Sequence, residues 1–189
     1  MKPNLIRTAA FRILPRGGRP VTAYDLARST GGDPGEIDAA LVSLQSAGRL
    51  RCDTTGSVVG SAGLSVIEDR HQIELDGRRF WTCGAYEIIG IFGALKASGR
   101  AISPIPTGQT IEVRFERGHP VNSGAVLFRP ADDLMNCCGN VYEEWCPNSN
   151  LFADWVQASD RADSHQMAGR VMGLEEASEA GTADWVDLL

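Results

Sequence analysis

The residues flanking Asp76-Gly77 constrain the fold more than any other stretch. "HQIEL" before and "RRFWT" after alternate apolar and polar side chains, the two-residue period of strands with one buried face. Asp-Gly between such runs readily adopts the positive φ angles of a tight turn, so residues 71–82 are expected to form a β-hairpin. The period then changes. From about Ala85 to Lys96 the chain is mostly apolar, with Ile88, Ile91, Phe92 and Leu95 at helical spacing. A hairpin running straight into a core-facing helix predicts an α+β fold.

Upstream, residues 4–14 carry Leu5, Ile6, Ala9, Ala10, Ile13 and Leu14 at helical spacing and stop at Pro15-Arg16-Gly17-Gly18. Thr22 is placed to cap a second helix. After Gly31-Gly32, Asp33 caps a third, with Pro34 at its first position and Glu36 three residues on. "LRCDTTGSVVG" follows as a turn between two short β-like pieces, which completes a winged helix-turn-helix outline for residues 1–60. The third helix carries Glu36 and Asp38 and meets no Lys or Arg until Arg49, so it repels phosphate and argues against a nucleic-acid partner. Charge is divided along the chain. Residues 1–60 hold eight Lys/Arg against five Asp/Glu, and with a total of −6 the remaining residues carry −9. Two units are therefore expected, 1–60 and 61–189, the first packed on a mixed β-sheet domain.

Within the second unit, "RAISPIPTGQTIEVRFERGHPVNSGAVLFRP" reads as short strands with turns at Thr107-Gly108 and Arg117-Gly118, and a capped helix is expected from Asn150 through Ser159. "GSVVGSAG" reads as a loop, lacking the lysine of a phosphate-binding turn. The acidic run Glu175, Glu176 and Glu179 reads as a solvated helix face. Arg7 and Arg12 interrupt the first apolar residues, so no signal-peptide core forms, and the longest apolar stretch, Ile88 to Leu95, is too short to span a bilayer. A cytoplasmic protein without a membrane partner is expected. There the five cysteines, an odd number, stay reduced and available to soft metals.

Cys83 and Glu87 stand out because i, i+4 spacing on a helix would aim a thiol and a proton carrier into one space. Cys138 points away from its neighbour, and Cys52 reads as an ordinary small residue. His71, His119 and His165 lack metal-site spacing and read as surface or strand residues, and Trp81, Trp145 and Trp155 as core. No C-x-x-C pair, Walker loop or G-x-S-x-G elbow occurs, and no cofactor is implied.

Taken in order, a helical winged region, "GLSVIEDRHQIELDGRRFWTCGAYEIIGIFGAL", "SPIPTGQTIEV", "MNCC" and "LFADW" resemble the alkylmercury (organomercurial) lyase family over roughly residues 5–160. The resemblance implies a small-molecule organomercurial substrate held by two cysteines, with an aspartate three residues after the first cysteine, one methylene shorter than a glutamate, protonating the departing carbon. It assigns Cys137 as the second cysteine. An ungapped match puts Gly84 at the first cysteine's position, Cys83 one residue early, and Glu87 at the acid's position. The catalytic set implied is thus Cys83, Glu87 and Cys137; outside the resemblance, Cys146 in "EEWCPNS" is placed to supply a substitute third thiol for the metal. Two thiolates suit mercury because both are soft, and the acid supplies the proton that releases the carbon. A lyase is the favoured reading. The alternatives are a non-enzymatic soft-metal or ligand-binding protein on the same fold, and a winged-helix regulator.

Overall fold

The computed structural model describes residues 3–121 and 123–189. Three helices open it: α1 (Pro3–Gly17), α2 (Ala23–Thr30) and α3 (Pro34–Ser46). Their starts follow from the local sequence. The Thr22 hydroxyl accepts from the Asp25 N–H while the Asp25 carboxylate accepts from the Thr22 N–H, a closed capping box. The Asp33 carboxylate accepts from Gly35 and Glu36 N–H ahead of a helix whose first residue is Pro34. Ile6, Phe11, Leu14, Leu26, Ile37 and Leu41 turn inward into the main core.

Eight strands form the large sheet: β1 (Leu50–Cys52), β2 (Val58–Ser61), β3 (Leu64–Ser65), β4 (His71–Leu75), β5 (Arg78–Thr82), β6 (Gly99–Pro104), β7 (Thr110–Glu116) and β8 (His119–Val121). Their order is β1-β2-β3-β5-β4-β6-β7-β8, with every neighbouring pair antiparallel. The hairpin β4–β5 lies near its centre, and Asp76 and Gly77 take φ of 48° and 81°, the geometry expected of Asp-Gly in a two-residue turn. A second, three-stranded antiparallel sheet joins β9 (Val126–Pro130), β10 (Asn150–Phe152) and β11 (Gly169–Gly173) in the order β10-β9-β11.

The central helix is α4 (Ala85–Leu95), buried continuously from Ala85 to Ala94 rather than along one stripe. It packs on β4, β5 and β8 of the large sheet, on β9 and β10 of the small one, and along α8 (Leu174–Val186). Ile88, Ile89, Ile91 and Phe92 are fully buried; each stabilises the fold by about 1.5–3 kcal/mol. The two helices approach closely where both lack side chains: a Cβ on Gly181 would sit 3.0 Å from the Gly90 nitrogen.

Several local expectations are corrected. "GSVVGSAG" is not a loop, since Val58–Ser61 is a buried strand. The helix expected over 150–159 is split: Leu151 and Phe152 pair with β9, and α7 (Trp155–Ser164) starts only where the Asp154 carboxylate accepts from Gln157 N–H. Trp155 is 54% exposed instead of core. The acidic run is solvated as expected, yet the opposite face of α8 buries Leu174, Ala177 and Trp185. No helix among the described residues is long and apolar enough to cross a membrane.

Candidate functional site

The site forms where β5 runs into α4. Cys83 lies just after the strand, in the bend before the helix, and Gly84 is the N-cap with extended backbone and no side chain to offer. The first-turn N–H groups of α4 are satisfied from a distant segment instead. Tyr86 N–H donates to Ser149 Oγ at 2.8 Å, and Ala85 N–H donates to the Ser149 carbonyl at 3.0 Å. Docking Ser149 there carries with it the short 3-10 turn Cys146–Asn148 and delivers Cys146 to Cys83.

The two sulfurs lie 2.6 Å apart, and Cys146 Sγ is 3.5 Å from Glu87 Oε1. Ligand atoms of Cys83, Glu87 and Cys146 all fall within 4.8 Å of one another, and the three residues are 2%, 4% and 1% exposed. Cys83 and Glu87 therefore meet across the helix start, not on one helical face. Cys137 stands elsewhere. It ends the short helix α5 (Asp132–Cys137), exposed, its Sγ 3.6 Å from the Leu134 carbonyl, and it does not line the cavity around the other three. Sequence reasoning named Cys146 only as an additional thiol. Its proximity to Cys83 depends on contacts more than 60 residues apart, which no local pattern announces.

Burial sets the electrostatics. It raises Glu87 to about 7, partly opposed by hydrogen bonds from its own backbone N–H and the two thiols. Burial also pushes the Cys83 thiol well up, reinforced by its bond to Cys146 and the nearby Glu87 charge. For Cys146 the bond from Cys83 favours the thiolate, but burial and Glu87 outweigh it and leave the thiol at about 11. The resting site thus keeps protons on sulfur beside a carboxyl group that exchanges its own near neutrality. Glu87 Oε2 is buried without a hydrogen-bond partner, an acceptor free for a reacting group.

Two glycines make room for the longer acid. A Cβ on Gly63, where φ is +86°, would lie 2.2 Å from Glu87 Cγ, and one on Gly84 would lie 2.4 Å from Glu87 Oε2. Any side chain at position 84 competes with the glutamate for space. The bare Gly84 and the length of the Glu87 side chain are therefore geometrically coupled.

The three residues open on a cavity of about 320 Å³. Tyr86 stands between Trp145 and Trp185 in edge-on contacts with centroids 6.2 and 5.6 Å away. Its hydroxyl donates to Asp184 at 2.7 Å, and the Arg129 guanidinium lies 4.7 Å above its ring. Trp145 and Trp185 are fixed by indole N–H bonds to the Ala131 and Ala62 carbonyls. Arg70 ties the rim by donating to the Cys83 carbonyl at 3.1 Å. His71, in β4, is 1% exposed, and its Nδ1 meets Ser103 Oγ at 2.7 Å. Burial drops it to about 4, and it takes no part in the cavity.

A family model described as alkylmercury lyase, MerB, matches residues 64–186. Alkylmercury lyases of Bacillus cereus and Clostridium butyricum are each 33% identical over 172 residues, which span 87% of this chain and 74% of theirs. A crystal structure of the mercury-bound form of MerB2 superposes with a TM-score of 0.82, covering 96% of this chain and 90% of that one. At 21% identity, the last likeness is one of fold.

Proposed function

Because the chain belongs to the alkylmercury lyase family, we propose that it cleaves carbon–mercury bonds by protonolysis, with Cys83 and Cys146 as the mercury-binding thiols and Glu87 as the proton carrier. The observation that carries this reading is the convergence of those three groups within 4.8 Å at the wall of a cavity. Cys146 takes the role that the resemblance alone would give to Cys137, because a second thiol must reach the metal already held by the first.

The steps balance on these residues. Cys83 gives up its thiol proton with the substrate's leaving anion and binds the mercury, leaving the organic group attached. Cys146 then binds, and its proton passes to Glu87, 3.5 Å away. The electron pair of the carbon–mercury bond takes the proton from Glu87, the hydrocarbon departs, and mercury(II) remains on two sulfurs. Bridging one metal requires the sulfurs to part to about 4–5 Å, given bonds of roughly 2.3 Å or slightly longer. Burial holds the acid's affinity for a proton near neutrality, where uptake from a thiol and delivery to carbon are both accessible.

The test is to incubate purified protein with phenylmercury and measure benzene. Release that disappears in Cys146→Ser and in Glu87→Gln supports the reading. No release above those variants removes the lyase claim, and tight thiol-dependent mercury(II) binding without turnover would mark a binding protein instead.

A further inference from the structure

At the end of the cavity formed by α1 and the turn before β1, two arginines face the same space, Arg7 and Arg49. Neither guanidinium has a hydrogen-bond or ion-pair partner among the described residues. Arg7 is mostly buried, and its Nε is shielded from solvent with nothing to donate to. The contrast with Arg129, across the same cavity, is direct. Its charge is met by Asp132 at 2.6 Å and Asp184 at 3.6 Å. Of the cavity's acids, Asp132 and Asp184 are committed to Arg129 and Tyr86, and Glu87 belongs to the thiol cluster. Two like charges thus stand together, partly desolvated, with no ion-pair partner among the described residues; on Arg7 only the charges of Tyr142 and Glu87 act in the opposite direction.

We propose that Arg7 and Arg49 form an anion subsite that selects organomercurials whose organic group carries a carboxylate, directing that group away from the thiols. This deepens the lyase reading and rests on it for the mercury end, while the subsite itself depends only on the arginines and the cavity. The volume of about 320 Å³ suits a single-ring ligand. Tyr86, Trp145 and Trp185 line the same cavity and offer ring contacts to such a ligand. A carboxylate accepts from guanidinium forks in charge-assisted pairs, which would satisfy the orphaned Nε and relieve the repulsion between the arginines. That repulsion is already felt: burial first, and Arg49 second, lower the proton affinity of Arg7, and Tyr142 and Glu87 offset them only in part.

The experiment has two arms. In the first, benzoate, which has no mercury, is titrated by quenching of tryptophan fluorescence, with benzamide as the neutral control. Benzoate should bind, benzamide should not, and Arg7→Met and Arg49→Met should each weaken benzoate by roughly 10- to 100-fold. In the second, kcat/KM is compared for 4-(hydroxymercuri)benzoate and phenylmercury. The ratio should fall by a similar factor in either variant. Methionine keeps the apolar stem of the side chain, and Arg7→Gln, polar but uncharged, is the second variant should Arg7→Met fail to fold. Equal binding of benzoate and benzamide, or benzoate affinities unchanged in the variants, overturns the subsite. Absence of turnover on both mercurials with benzoate binding intact removes the lyase reading and leaves the subsite standing.

Discussion

Replacing Gly84 with alanine isolates the geometric coupling between position 84 and the Glu87 carboxylate. The backbone tolerates the change, because Gly84 has φ −142° and ψ 167°, ordinary extended values for any residue. The new Cβ, however, would lie 2.4 Å from Glu87 Oε2, 3.0 Å from the Cys146 carbonyl oxygen and 3.2 Å from Ser149 Cβ. Ordinary contact begins near 3.4 Å, so the carboxylate must retreat by about 1 Å, and being the end of a flexible side chain it is the group that yields. A misplacement of about 1 Å at a reacting group costs on the order of 100-fold in rate, or about 2.7 kcal/mol in the barrier. The assay is single-turnover benzene release from phenylmercury, run beside a thiol-dependent mercury(II) titration and a urea melt. Release should slow about 100-fold, while mercury(II) affinity and the melting midpoint stay close to the parent. Adding Glu87→Asp withdraws the carboxylate by a methylene, so the double variant should be faster than Gly84→Ala alone. Parental rates in Gly84→Ala, or penalties of the two changes that simply add, would refute the coupling.

Three further outcomes follow from the same geometry. Cys146→Ser should abolish two-thiol mercury(II) capture, whereas Cys137→Ser, at an exposed position outside the cavity, should leave it unchanged in a competition titration against a small dithiol. Ser149→Ala leaves the buried Tyr86 N–H without its 2.8 Å acceptor, so stability should fall by about 1–3 kcal/mol in urea unfolding. Glu87 binds its proton more tightly folded, at about 7, than at the ordinary value of 4.5. As pH rises through that interval the unfolded chain ionises first, so the folded state loses about 2 kcal/mol between pH 5 and 8, a loss absent in Glu87→Gln when the two urea curves are compared.

What the sequence made legible was whatever is decided within three or four residues. Thr22 and Asp33 cap their helices with groups two or three positions away, and Asp76-Gly77 turns on its own dihedral preferences. Glu87 stood out in the sequence by its i, i+4 spacing from Cys83, but its desolvation comes from a helix buried on every side, which only the fold reveals. Contacts between distant segments were not. The strand at 150–152 exists because Leu151 and Phe152 find β9, although the local sequence reads equally well as helix. Burial of one face of α8 depends on glycines of α4 that a periodicity count treats as gaps.

The same limit explains why the site looked damaged in one dimension. Set against the positions that the family resemblance implies, a glycine stands in place of a cysteine and removes a ligand, and a glutamate three residues on overshoots. In space the glycine is the vacant volume that the glutamate fills, and Cys83 meets its partner thiol because Ser149 caps α4 from a segment more than 60 residues downstream. Each departure is unfavourable alone: Glu87 with any side chain at position 84 collides, and Gly84 with a shorter acid leaves a buried gap beside the thiols. Selection for protonolysis would therefore act on the pair. A chain carrying only one of the two changes should be slower than either this chain or one carrying neither.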